Sequence, residues 1–471
     1  MDYLSTRGRA PELPFDEVVL TGLAADGGLY VPGRYPSVSR EAIAALAGRP
    51  YAEAAESLIA PFAEGLPRGL LREAAQGAYA SFSHAAVAPL TQIADNLFVL
   101  ELFHGPTLAF KDLAMQLLGR LMDALLEQRG LRATIVGATS GDTGAAAIEA
   151  FRGRANVDVF ILYPDGRVSD VQRRQMTTVA DENVHAIALD GSFDDAQTLL
   201  KGLFRDEAFR SGVGLAGVNS INWARVVAQM VYYFTSAVAL GAPSREVSFA
   251  VPTGNFGDVL AGYVAKRMGL PIERLIVATN ENDILARALA SGRYEPRGVT
   301  PTQSPSMDIQ LSSNFERLLF EAVGREPARV VKAFEALDRD GGFEMSPEAL
   351  KAIREDFDAL AVDEAETRAE IARTWRQSGY VLDPHTATGV RAARARLAKD
   401  PGTPIIALAT AHPAKFPEAI ERAIGLRVEP PPRLAPVLQR AERVARLRKD
   451  AEAVKGFILN HARAARVDAG A

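Results

Sequence analysis

Two segments of this chain repeat one design: an apolar strand-like run, a glycine turn, then a helix-forming run. The first reads Thr134-Ile135-Val136-Gly137-Ala138-Thr139-Ser140-Gly141-Asp142-Thr143-Gly144 and continues into Ala145-Ala146-Ala147. The second reads Phe249-Ala250-Val251-Pro252-Thr253-Gly254-Asn255-Phe256-Gly257-Asp258 and runs on into an apolar helical stretch. Strands that feed helices in this way build parallel sheets, because a parallel neighbour is reached only through a crossover. Further strand-like runs begin at Leu97, Val157, Val247, Leu275 and Ile405, with helical stretches between them. The chain is therefore expected to be α/β, with largely parallel sheets.

Composition narrows the class. The 471 residues carry 53 basic and 58 acidic side chains, a mild net charge of −5, and 48% of them are hydrophobic. That is the profile of a globular protein with ample core, and it lacks the basic footprint of a general nucleic-acid binder. There is no cysteine, which excludes a disulfide, a thiol nucleophile and Cys-ligated zinc. The opening residues, Met1 to Arg7, are polar and show no secretory h-region. The uncharged stretch Val226 to Ala242 contains Gln229, Tyr232, Tyr233, Thr235 and Ser236, and reads as a buried core helix rather than a membrane span. A reducing, cytoplasmic setting is expected.

Each glycine turn opens a helix, so backbone N–H groups and the positive end of the helix dipole converge there on an anion seat. Neither turn is a P-loop, since no lysine follows the closing glycine, and neither has dinucleotide spacing. Two anion seats in one chain suggest a ligand set with two negative groups, such as a phosphorylated cofactor and a carboxylate substrate. Lys111 supplies a reactive group, in His104-Gly105-Pro106-Thr107-Leu108-Ala109-Phe110-Lys111-Asp112. It opens a helix whose apolar face carries Leu113, Leu117, Leu121 and Leu125, and the dipole there favours a neutral amine. A neutral amine is what condensation with an aldehyde cofactor requires. No His/carboxylate spacing points to a metal site.

These residues lie in a series of motifs that resembles the threonine synthase family, within the fold-type II (tryptophan synthase β-like) pyridoxal-phosphate enzymes. Tyr3-Leu4-Ser5-Thr6-Arg7-Gly8 and Asp26 to Pro32 resemble its amino-terminal signatures, and Phe103 to Asp112 its cofactor-lysine motif. Asn219 to Arg225, Gly254 to Asp258, Ser304 to Asp308, Asp383 to Ala387 and Thr410 to Phe416 follow in order. The resemblance implies that Lys111 carries pyridoxal 5′-phosphate and later serves as the mobile base. It also implies that Gly254, Asn255, Phe256, Gly257 and Asp258 hold the cofactor phosphate, and that Thr410 faces the pyridine nitrogen. Ser140, Gly141 and Thr143 match the loop for the substrate carboxylate, and Asn219, Ser220 and Arg225 match positions for the substrate phosphate. On the residues alone, a helix cap at Asn219-Ser220 with Arg225 on that helix's surface is the less favoured alternative. Many relatives place Asn where this chain has Asp142, near the cofactor's 3′-oxygen. Asp142 would repel that oxygen unless it points away or is protonated. His104, His385 and His412 lie inside motifs without an assigned role.

The implied activity is conversion of O-phospho-L-homoserine and water to L-threonine and phosphate, the work of a carbon–oxygen lyase acting on phosphates. A phospho-lyase of the same fold, giving 2-oxobutanoate, ammonia and phosphate, is the alternative. The implied architecture is two α/β domains with parallel or mixed sheets around a cofactor cleft. The expected division is an amino-terminal region over 1–95, a smaller domain with the lysine and carboxylate loop over 96–235, and a larger cofactor-binding domain over 236–430. The larger domain holds a helical insertion at about 315–378 that shows no strand-like run. A helical tail over 431–471 ends the chain; from residue 433 it carries nine Lys or Arg against four Asp or Glu, and it is expected to pack on its own acidic protein. A small-molecule substrate, no nucleic acid, no membrane, and a monomer or homodimer complete the expectation.

Overall fold

The computed structural model describes residues 1–466. Every strand-like run named above forms a strand, and the strands fall into two principal sheets. The larger has six strands in the order Phe357–Ala361, Ile272–Thr279, Val247–Pro252, Ile405–Ala409, Leu97–Glu101 and Leu90–Ala94. All neighbours in it are parallel except the last pair, which is antiparallel. The smaller has five parallel strands, in the order Ala445–Arg448, Val184–Asp190, Val157–Pro164, Ala133–Ala138 and Leu215–Ala216. Val157–Pro164 is buried along its whole length, as a central strand covered on both faces must be.

The sheets divide the chain differently from the sequence-based expectation at three places. Leu97–Glu101 belongs to the larger sheet, paired with Ile405–Ala409, so residues 96–101 do not open the smaller domain. The tail is not wholly helical: Ala445–Arg448 adds a parallel edge strand beside Val184–Asp190. The stretch 315–378 is helical at Phe315–Ala322, Pro327–Asp340, Pro347–Asp356 and Glu364–Ser378, yet it also contributes the edge strand Phe357–Ala361. These two strands lie at sheet edges and are only partly buried, so they lack the continuous apolar run that marks a central strand.

Two long helices join the sheets. Lys111–Arg129 buries Leu113, Leu117, Leu121 and Leu125 and stops at Gly130, whose φ of 63° closes the C-terminus in the left-handed region. Burial of each leucine contributes about 1.5–3 kcal/mol. Trp223–Ala239 packs on Lys111–Arg129 and on Gly257–Arg267, and its uncharged run is a core helix as expected. Among the described residues, no helix is long and apolar enough to cross a membrane. The amino-terminal region docks through Tyr3, whose ring meets Phe15 and Trp223. In the tail, the helix Ala451–His461 buries Val454 and Ile458, and Lys455 pairs with Asp206 at 2.6 Å. Arg463 clamps the buried Asp158 through its backbone N–H and Nε at 2.7 and 2.8 Å. The tail's positive charge is thus partly spent on this protein's own carboxylates. Residues 467–471 of the expected tail lie outside the described residues.

Candidate active site

The strand Ile405–Ala409 enters the larger sheet last, between Leu97–Glu101 and Val247–Pro252. The strand order therefore switches beside it, and in open α/β sheets such a switch leaves a ligand crevice at the carboxyl ends of the strands. Three segments leave the sheet at that edge: Leu102 to Phe110, Thr253 to Phe256, and Thr410 to His412. The first and third pair with each other. Phe110 N–H donates to Thr410 O at 2.8 Å and His412 N–H to Leu108 O at 3.0 Å, with an antiparallel bridge between Ala109 and Ala411. This pairing sets Lys111, the first residue of its helix, beside Thr410.

The turn before Lys111 is held from within. The backbone N–H and hydroxyl of Thr107 both donate to Asp112 at 2.7 Å. A Cβ on Gly105 would lie 2.4 Å from that of Asp112, so the turn closes only around glycine. The Lys111 amine lies 3.5 Å from Ser306 Oγ, 3.8 Å from Asp142 Oδ2 and 5.0 Å from the Phe110 ring centroid. Its pKa is lowered, first by burial and then by Lys415 and Arg225, against the opposing pull of Asp142. The neutral amine expected from the helix dipole is thus favoured mainly by desolvation.

Asp142 opens the helix Asp142–Phe151 behind Gly141. Its Oδ1 accepts from Lys415 Nζ at 2.7 Å and from Gln172 Nε2 at 2.9 Å. Burial alone would raise its pKa, but Lys415 and Lys111 outweigh burial and hold the carboxyl far below the usual range. Asp142 is therefore ionised, and its Oδ1 is engaged by Lys415. In the same turn, Thr139 Oγ1 accepts from Gly141 N–H and Gly144 N–H, both at 3.0 Å. The N–H groups of Asp142 and Thr143, at the first positions of the helix, have no intrahelical acceptor by position. Ser140 and Thr143 are half-buried.

In the second turn, a Cβ on Gly254 would meet Ser306 O at 2.9 Å. Asn255 O accepts from Asn314 N–H and Nδ2, at 3.1 and 3.0 Å. Phe256, at φ 64°, packs on Phe315 and Phe357 and turns the chain into the helix that starts at Gly257. The Asp258 side chain faces inward, where Tyr232 and Tyr233 donate to its Oδ1. Burial pushes this carboxyl up to about 6. A folded pKa above the unfolded 3.8 means stability that is full below about pH 4 and lost as pH rises through about 6, on the order of 3 kcal/mol. Asp258→Asn is expected to remove that loss, so its unfolding free energy should gain on the wild type between pH 4 and 6 by about that amount; parallel denaturant curves check it.

Arg225 settles the alternative left open for Asn219-Ser220-Arg225. The cap of the helix Trp223–Ala239 is Asn222, whose side chain accepts from Ala224 N–H at 3.0 Å, and Arg225 is 3% exposed rather than on the surface. Its guanidinium donates to Val218 O at 3.1 Å, while its Nε has no partner among the described residues. Burial pushes its pKa down to about 10. A buried cation without a carboxylate is costly, and an arriving anion relieves that cost. Asn219 is exposed and Ser220 half-buried in the loop just before this helix.

Four contributors escaped the sequence reading. Lys415 and Ser306 lie inside recognised motifs without an assigned role. Thr139 and Gln172 carry no signal beyond position. Ser306 is positioned by His385, whose Nε2 accepts Ser306 N–H at 3.3 Å while Nδ1 donates to Asp383 at 2.8 Å. Asp308 holds the same turn by accepting from Asn280, Asn282 and Thr302. Among the described residues, no group of three or more His, Asp or Glu is placed to hold a metal.

A desolvated amine flanked by two helix-start anion seats and an unpaired guanidinium suits a phosphorylated aldehyde and an anionic substrate. Known proteins agree. Residues 2–79 match the family model "Threonine synthase N terminus", 85–339 "Pyridoxal-phosphate dependent enzyme", and 386–458 "Threonine synthase, C-terminal". The chain is 51% identical to the threonine synthase of Pseudomonas aeruginosa over 98% of each chain. A crystal structure of pyridoxal-phosphate-bound threonine synthase from Brucella melitensis superposes with a TM-score of 0.95 at 56% identity, covering 98% of this chain and 100% of that one. The yeast enzyme's structure gives 0.92 at 40% identity, covering 98% of both. With three family models matching most of its length and 51% identity over 98% of the chain to a threonine synthase, the chain belongs to the threonine synthase family of fold-type II pyridoxal-phosphate enzymes.

Proposed function

We propose that this protein converts O-phospho-L-homoserine and water to L-threonine and inorganic phosphate. The observation that carries the substrate choice is Arg225, a buried guanidinium without an anion of its own, close enough to depress the Lys111 amine. In this reading Lys111 carries the cofactor. Backbone donors of Gly254 to Asp258 take its phosphate, and Thr410 faces its ring nitrogen with a neutral hydroxyl that does not enforce protonation there. Bound pyridoxal phosphate supplies the electron sink for a carbanion next to the substrate amine.

The protein's own groups do the rest. Ser140, Gly141 and Thr143 orient the substrate carboxylate at the start of the helix Asp142–Phe151. Arg225, with Asn219 and Ser220, receives the γ-phosphate and stabilises it as it leaves, since a planar guanidinium fork matches phosphate oxygens. Lys111 is the base placed to move protons between substrate carbons, and Ser306 Oγ lies within reach of its Nζ. The chain acts on a small molecule, as a monomer or homodimer, in the cytoplasm.

Cofactor-loaded protein incubated with O-phospho-L-homoserine tests the reading. Threonine and phosphate are expected in equal amounts. Phosphate with 2-oxobutanoate instead would move the function to the phospho-lyase, and absence of phosphate would overturn the substrate.

A further inference from the structure

The cleft contains two buried lysines and one strongly ionised carboxylate between them. Lys415 is wholly buried on the short turn Pro413–Lys415, which His412 caps through Nδ1 by accepting Ala414 N–H at 3.1 Å. Its amine donates to Thr107 O at 2.8 Å and pairs with Asp142 Oδ1 at 2.7 Å. The other oxygen, Oδ2, faces Lys111 at 3.8 Å and Ser306 Oγ at 3.5 Å. The carboxylate is thus shared unequally, closely bonded to Lys415 and only loosely to Lys111.

The balance of charge around Lys111 gives this inequality a consequence. The groups that face its amine are Asp142 and Lys415, Arg225 on the helix Trp223–Ala239, Asp112 on its own helix, and Asp258 across the cleft. Among these carboxylates Asp142, with Oδ2 at 3.8 Å, exerts the largest upward pull on the amine, ahead of Asp112. Were Asp142 unpaired, it would hold Lys111 as a cation and oppose the neutral amine the chemistry needs. A second cation bonded to Asp142 cancels most of that pull and also repels charge on Lys111.

We propose that Lys415 is a positioning residue that pins Asp142 and neutralises it, so that Asp142 can orient the Lys111 nitrogen without holding it protonated. This rests on Lys111 carrying the cofactor, as in the proposed function. The same pairing accounts for an aspartate beside the cofactor ring: Asp142 and Lys415 together present no net charge to the ring's oxygen.

The test is a spectrophotometric pH titration of the full-length enzyme loaded with pyridoxal phosphate, in which the visible band reports protonation of the Lys111 nitrogen. Lys415→Met leaves Asp142 to Lys111 alone, so the inflection is expected to rise by about 1–3 pH units. Asp142→Asn removes the anion and is expected to lower it. The double variant, which deletes the pair together, is expected to return close to the wild type, a cancellation that mere loss of packing would not produce. Asp142→Asn is isosteric and decides the matter if Lys415→Met does not fold. Singles that leave the inflection unmoved, or move it the same way, overturn the proposal while leaving the reading of Lys111 intact. A wild-type enzyme that acquires no lysine-dependent visible band would sink that reading, and this inference with it.

Discussion

Lys111→Ala is expected to abolish turnover and, with it, the visible absorption of the bound cofactor. A lost proton shuttle alone costs about 10²–10⁴-fold, and here the covalent attachment of the cofactor goes as well. Among the described residues, Lys415 is the only other lysine that bonds within this cluster, and its nitrogen is tied to Asp142 and to Thr107 O on a wholly buried turn. The fold should tolerate the change, because Lys111 sits at the first position of its helix and makes no close ion pair. Spectra and steady-state rates on the purified variant check both halves. A variant that kept its band, or turned over within tenfold of the wild type, would remove Lys111 from the mechanism.

Arg225→Met is expected to separate function from stability. Truncating a buried charged donor that meets its ligand costs about 2–5 kcal/mol, so kcat/KM for the phosphorylated substrate should fall by about 30- to 5,000-fold, chiefly through KM if the contact acts on binding. The cofactor band should persist, since the proposed role of Arg225 is toward the substrate phosphate and not the cofactor. Stability should move the other way. The guanidinium lies at 3% exposure with an unpartnered Nε, and methionine of similar length removes a desolvated charge. A higher Tm with a collapsed kcat/KM is the expected combination. Arg225→Lys should restore little, because a point charge does not reproduce a planar fork. Unchanged kinetics in Arg225→Met would reduce the residue to a costly structural cation and leave the substrate phosphate without its main anchor.

Both predictions start from residues that were visible in the chain, for different reasons. Lys111 was legible because its surroundings are local: a Gly-Pro-Thr turn, then a helix with a regular apolar face. Arg225 could be named only through motif resemblance, since the sequence alone leaves a capped surface helix open as an alternative. Its burial follows from Trp223–Ala239 lying between two other helices, and no window of sequence contains that packing. The inward turn of the Asp258 carboxylate was hidden for a similar reason. Its partners, Tyr232 and Tyr233, lie on a different helix that reaches it only in the folded protein.

The strands and helices of the two α/β layers were set by hydrophobic periodicity and glycine placement, which act within a few residues and survive as pattern. Which strand joins which sheet was decided by pairing over long separations, as when Leu97–Glu101 takes Ile405–Ala409 as its neighbour and Val184–Asp190 takes Ala445–Arg448. Those pairings depend on which faces remain uncovered after the helices dock, a quantity that belongs to the whole fold. The same holds for the shared carboxylate. Sequence placed Asp142 after a glycine turn and Lys415 in a Pro-Ala-Lys turn, two ordinary contexts. Only the close approach of those turns, with water excluded between them, makes an ion pair that sets the charge around Lys111.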